Sequence, residues 1–299
     1  MAAIALAAVT ASSALAVIKN PDFSKRIYRN CPVHGHAEDG LPNVVCVFAA
    51  TEPGAEGGSF TVGKITTPLA KQIVLQYGIA ENENDEEESY VPPTHGVEAI
   101  TPTPEKVPGT PIAHITPTEQ EELGWPESLK VRYRQGQVSG AAKTVYETIE
   151  LAGTVKTSRE KLLSTEGTAV EAPVKIKGEN KWLSQLGDVC YIGSEEDPIV
   201  QHLTTGTSVS PLTGEEIHGA VGELQFLFEF TAIAISHDSL VDNTYPVPGA
   251  KCTGPYSSQI AATIDREFEI PAVAGASRTE LKGSLYNAIN AVAEAGGAN

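Results

Sequence analysis

The residues best placed to do chemistry lie in one stretch, His237 to Cys252, which reads HDSLVDNTYPVPGAKC. His237, Asp238 and Ser239 are the residue types of a nucleophilic triad. Asp238, Asp242 and Asn243 offer the hard oxygen atoms that calcium takes. Neighbours on an extended strand point to opposite faces, so three consecutive residues do not converge as a triad. Asp, Asn, Pro and Gly after an apolar run are also turn residues, because Asx side chains bond their own backbone and Pro fixes φ. We read the stretch as a strand exit that runs through the Pro246–Gly249 turn to Cys252. Calcium at Asp238, Asp242 and Asn243 is the alternative.

No other motif supplies a reaction. The sequence has no G-x-S-x-G elbow, no G-x-x-x-x-G-K-[ST] loop, no H-E-x-x-H pair and no strand–Gly–helix dinucleotide fingerprint. Glycoside hydrolysis needs only two suitably spaced carboxylates, and none of the 38 acidic residues stands out as a pair. The seven histidines are scattered, apart from His34 and His36. We therefore assign no catalytic residue, no cofactor and no metal beyond the calcium alternative. The acidic run Glu81–Glu88, ENENDEEE, reads as an exposed loop. It lacks the central Gly of a helix-loop-helix calcium site.

The four cysteines are Cys31, Cys46, Cys190 and Cys252, and three pairings are open to them. We expect Cys31–Cys46, closing the turn-rich loop CPVHGHAEDGLPNVVC, and Cys190–Cys252, tying a strand to the stretch quoted first. Loop entropy would give these bridges about 3 and about 4 kcal/mol. A zinc site at Cys31, His34, His36 and Cys46 is the rival, but it lacks the C-x(2–4)-C spacing of structural zinc.

Disulfides imply an oxidising compartment. The first sixteen residues, MAAIALAAVTASSALA, carry no charge and end on the small-x-small pattern Ala14–Ala16. Residues 1–16 read as a signal peptide, with the mature chain starting near Val17. No segment is apolar enough to span a membrane as a helix. A formal charge of −17 and a pI near 4.8 argue against nucleic acid and anionic lipid as partners.

The elements that would position these residues are mostly strands. Val44–Ala50, Gly58–Leu69, Lys71–Ile79, Ser128–Gly136, Ala172–Gly178, Gly187–Gly193 and Pro198–Thr207 all carry short β patterns between Gly and Pro. In Ser128–Gly136, Leu129, Val131 and Tyr133 share a face in this reading. Gly222–Ser236 is the longest alternating stretch. Leu224, Phe226 and Phe228 form its face, continued by Phe230, Ala232 and Ala234. Residues 79–128 form an acidic, Pro-rich irregular segment. One helical turn is expected after Thr116 and Pro117, which suit a cap and a first helical position. Pro255–Phe268 reads as a helix, and Thr279–Leu285 as a strand followed by a frayed helix. The fold class is mainly β, an antiparallel sandwich or barrel with a few short helices, in a single domain from residue 17 to 299.

Several motifs are shared beyond these patterns. CYIGSEEDPIVQHLTTGT, IHGAVGELQF, SLVDNTYPVPGAKC, the NCPVHGH…VCVFAATE pair, GSFTVGKITTPL and PVKIKG resemble an uncharacterised family of secreted actinobacterial proteins. All four cysteines fall inside the matching pieces. The resemblance implies export, cysteine pairing and a β-rich fold, and it implies no chemistry. The expected role is a secreted, non-enzymatic structural or binding protein at the cell surface or in the medium. The partner is unknown, with a cell-envelope component or self-association among the options. An envelope channel or self-assembling β subunit, and a secreted hydrolase with an unrecognised carboxylate site, are the alternatives.

Overall fold

The computed structural model describes residues 30–32, 44–80, 89–93, 98–227 and 232–289. The expected leader, His34 and His36, the acidic run 81–88, Phe228, Phe230 and the part of the expected C-terminal helix beyond Ile289 lie outside these residues.

Along the chain the strands are β1 (Val44–Thr51), β2 (Gly58–Val62), β3 (Ile65–Pro68), β4 (Val74–Ala80), β5 (Ser89–Val91) and β6 (Glu105–Lys106). Then come β7 (Tyr146–Leu151), β8 (Lys156–Thr157), β9 (Val170–Glu179), β10 (Val189–Ile192), β11 (Ile199–Leu203) and β12 (Thr207–Val209). The last are β13 (Glu216–His218), β14 (Glu223–Leu227), β15 (Ala232–Asp242), β16 (Ala250–Thr253) and β17 (Arg278–Ile289). The helices are α1 (Pro117–Glu122), α2 (Glu127–Ser139), α3 (Arg159–Leu162), α4 (Lys181–Leu186) and α5 (Ser257–Phe268).

The strands form two main sheets. One has the order β14-β15-β17-β1-β4-β5, with the β2–β3 hairpin joined to β17 through β2, and it curls into a half-barrel. The other has the order β16-β10-β9-β7-β6, with β8 and β11 also paired to β9. Every strand pairing among the described residues is antiparallel. The mainly β, antiparallel expectation is what the structure shows.

Alternation builds the core. In β9, Val170, Ala172, Val174 and Ile176 are buried while the residues between them are only partly covered. Facing them across the interior are Val47, Phe60, Tyr77, Ile235 and Leu285 of the curled sheet, in one continuous apolar cluster. Each such side chain contributes about 1.5–3 kcal/mol by leaving water.

Three sequence expectations are corrected. Ser128–Gly136 is helix α2, not a strand. Leu129 and Tyr133 share a face at helical spacing with Gly136, all buried, whereas Val131 is exposed. Packing decides it: Trp182 lies against α2 so closely that a Cβ on Gly136 would meet its Cδ1 at 2.6 Å. Trp125, Tyr133 and Trp182 close this corner with ring centroids 5.2 to 6.0 Å apart. Second, Gly222–Ser236 is not one strand but the hairpin β14–β15, with Leu227 paired to Ala232. Leu224 and Phe226 lie opposite Ile235 and Ile233, on the same side of the sheet as Ile235, yet they are exposed because β14 is the edge strand. Third, β17 runs on to Ile289, through the residues expected to begin a helix, because β1 and β15 flank it almost to its end. Within the segment expected to be irregular, β5, β6 and α1 are regular elements.

The turn after Thr116 is α1. Its capping box is complete: the Glu119 N–H donates to Thr116 Oγ1 at 3.3 Å, and the Thr116 N–H donates to Glu119 Oε2 at 2.7 Å. Glu119 also pairs with Arg266 of α5 at 3.2 Å. Replacing Thr116 with Ala should therefore cost roughly 1 kcal/mol. A lower urea midpoint at unchanged slope would show it.

Two disulfides are present, Cys31–Cys46 with Cα atoms 5.8 Å apart and Cys190–Cys252 with Cα atoms 4.0 Å apart. They are the pairs expected from the sequence. Cys190 and Cys252 are directly opposed on β10 and β16, so this bridge joins two neighbouring strands.

Candidate functional site: a cavity between the sheets

Between the curled sheet and the β9 sheet lies a cavity of about 120 Å³. Leu75, Leu240, Leu281, Leu285, Ile149 and Val174 are among the aliphatic residues on its wall. Protein interiors are ordinarily packed with few voids larger than a water molecule, so a space of this size stands out.

Asp238 is the acidic residue on that wall, and a β-bulge puts it there. Directly opposed residues on antiparallel strands share a face. β15 pairs Ile235 with Leu285, then slips by one residue, and resumes with Asp238 against Gly283, Leu240 against Leu281 and Asp242 against Thr279. The extra residue is His237, at φ 57°. Without the slip the inward set would continue as His237 and Ser239. With it, Asp238, Leu240 and Asp242 turn inward, and His237 is exposed.

This settles where the first-quoted residues go. His237, Asp238 and Ser239 lie inside β15 rather than at a strand exit, and they do not share a face. Asp238 and Asp242 share a face, but four extended residues place them about 13 Å apart, too far to hold one ion. Asp242 is fully buried and fixes the chain after β15. Its Oδ2 accepts from the His202 N–H at 2.6 Å, and its Oδ1 accepts from the Thr244 N–H at 2.8 Å and the Thr244 hydroxyl at 2.7 Å. Asn243 accepts from the Ser208 hydroxyl at 2.7 Å and donates to the Glu215 carbonyl at 3.0 Å. The structure thus does not bring Asp238, Asp242 and Asn243 together as a calcium site. Both Asp242 and Asn243 are held by the fold itself. Among the described residues no cluster of three or more His, Cys, Asp or Glu is arranged for a metal.

Asp238 differs from both. Its Oδ1 is buried without a hydrogen-bond partner. Burial pushes its carboxyl up to about 6 from 3.8; Glu52 adds to the rise, and the residue's own backbone N–H tempers it.

A polar seam borders the cavity. Gln201 Nε2 donates to Thr279 Oγ1 at 2.9 Å, and the Thr279 and Tyr245 hydroxyls share a hydrogen bond of 2.8 Å. Tyr245 OH also donates to the Thr61 carbonyl at 3.4 Å. Burial raises the Tyr245 phenol, which keeps it a neutral donor.

The acids that come face to face are elsewhere, at the β6–β7 pair, where Glu105 lies directly opposite Glu147. Glu105 accepts the backbone N–H groups of Ala70 at 3.1 Å and Lys71 at 2.9 Å. Burial lifts Glu147 to about 7 from 4.5, and the Glu105 charge adds to it. The neighbouring Thr67 tempers the rise. Such opposed environments can divide acid and base roles between two carboxylates. Here, however, Glu105 and Glu147 are only 3% and 5% exposed, too closed for a substrate to reach them.

Sequence reasoning missed the bulge and this acid pair. Each left a trace. The apolar positions of β15 change parity between Ile235 and Leu240, which marks an inserted residue. Glu147 occupies the same alternate face as Ile149 and Leu151, an acid on an inward-facing row. Neither trace says which partner strand lies opposite.

No known family model, curated protein or solved structure matches the chain.

Proposed function

We propose that this is an exported, disulfide-stapled binding protein that holds one small, mainly apolar molecule between its sheets. The cavity carries the reading: about 120 Å³ of space with an aliphatic wall and one acid whose Oδ1 lacks a partner. Small-molecule sites combine an apolar lining with a few polar groups in this way. Two disulfides support export, as do the leader-like residues 1–16 and the resemblance of several motifs to those of secreted actinobacterial proteins. Among the described residues no helix is long and apolar enough to cross a membrane.

The test is calorimetric titration with n-pentanol, a neutral probe of suitable size. Saturable binding at one site per chain is expected, with the negative heat-capacity change of apolar burial. Ala172 is on the cavity wall. Filling the space with Ala172→Leu should abolish binding while the thermal transition stays cooperative. Binding that survives Ala172→Leu, or no binding by the folded wild type, would refute the reading.

A further inference from the structure

Asp238 narrows what the cavity accepts. The strands on either side of it bring no side chain to pair with it. Across on β17 stands Gly283, where a Cβ would lie 2.2 Å from the Ala50 carbonyl oxygen. On the β14 side the chain approaches as Gly222, where a Cβ would lie 2.3 Å from the Ser236 carbonyl oxygen. The backbone is therefore packed tightly around the bulge, and these positions carry no larger residue.

The charge acting on the carboxylate is that of another acid, Glu52. Lys282 also borders the cavity, but it sits opposite Ser239, whose side chain points away from that of Asp238. An acid in an aliphatic wall with no counter-ion among the described residues favours a ligand that brings its own positive charge and an N–H donor. The protein's formal charge of −17 draws cations toward it as well.

Size sets the rest. An apolar cavity of roughly 150 Å³ holds benzene. A space of about 120 Å³ suits a chain of about five or six heavy atoms. We propose that the cavity takes a small primary alkylamine, with its alkyl chain against Leu75, Leu240 and Leu281 and its ammonium group on Asp238. This rests on the reading of the cavity as a ligand site.

The experiment titrates the full chain with n-pentylamine and with n-pentanol, for the wild type and for Asp238→Asn. At pH 7.5 the wild type should prefer the amine by about tenfold or more, the usual worth of a hydrogen bond to a charged group. That preference should shrink at pH 5, where Asp238 takes up its proton, since its carboxyl titrates near 6. Asp238→Asn should lose the preference and still bind pentanol. Equal affinity of the wild type for both probes, or a preference that persists in Asp238→Asn or at pH 5, would overturn the amine assignment and leave the apolar site standing. If neither probe binds, both the assignment and the site fall.

Discussion

Replacing Glu147 with Gln is expected to stabilise the protein at alkaline pH, by about 3 kcal/mol at pH 8.5. The carboxyl titrates near 7 in the folded chain, against 4.5 for an ordinary Glu, and its dominant cause is burial. Between those pH values the folded state binds more protons than the unfolded state. Stability contributed by the protonated acid is therefore present below about pH 4.5 and lost as the pH rises to about 7. Glu105 faces Glu147 across the strand pair, and Tyr245 lies within its electrostatic reach. Glu105 accepts two backbone N–H groups, and burial raises the Tyr245 phenol, which keeps it neutral. Glutamine has the shape of the protonated acid and no charge to bury. Urea unfolding of the wild type and Glu147→Gln from about pH 4 to about pH 8.5 would show it. The two should be closest near pH 4, diverge between about pH 4.5 and 7, and keep a constant offset above that. Parallel profiles over the whole range would contradict the buried position of Glu147.

Removing the bridge between Cys190 and Cys252, with both residues changed to Ala, is expected to cost about 4 kcal/mol in the loop-entropy account. The two cysteines are separated by 62 positions, and the loop they close contains β11 to β15, including the bulge and Asp238. The edge strand β16 pairs only with β10 in its sheet, over four residues. Without the covalent tie, β16 keeps that short pairing and the hydrogen bond from the Ala250 N–H to Asp265 Oδ1 of α5 at 2.7 Å. Denaturant unfolding of the double variant measures the loss. A change below about 1 kcal/mol would mean that the unfolded chain gains little freedom from losing the bridge. Because β16 leads into α5, the variant should also lose hydrogen-exchange protection there before the curled sheet does.

How far the sequence reached follows from where each signal was written. β9 was legible because Val174 and Ile176 alternate with lysines, and α1 because its capping residues are local. α5 was legible from Ile260 and Ile264, four apart on its buried face. Helix α2 was not, because Leu129, Val131 and Tyr133 fit a strand as well as Leu129, Tyr133 and Gly136 fit a helix. Only the ring of Trp182, about fifty positions away, decides between them. The break between β14 and β15 has no Asn-Gly or similar turn pair to announce it. The sequence marks Asp238 as a calcium candidate, since nothing local reveals that the bulge at His237 turns it inward. Asp242 ends β15 with its Oδ1 accepting from the Thr244 N–H, and Asn243 accepts from the Ser208 hydroxyl. The acid pair Glu105 and Glu147 depends on a pairing across 42 positions of chain, which no local pattern carries.

The central claim is that space for a ligand exists between the sheets, and a crystal of the protein under xenon pressure measures it most directly. Xenon occupies apolar cavities of this size without needing any polar contact. The account predicts one xenon site bounded by Leu75, Leu240 and Leu281, beside Asp238. No xenon at that position, with side chains filling the gap between β9 and β17, would contradict it.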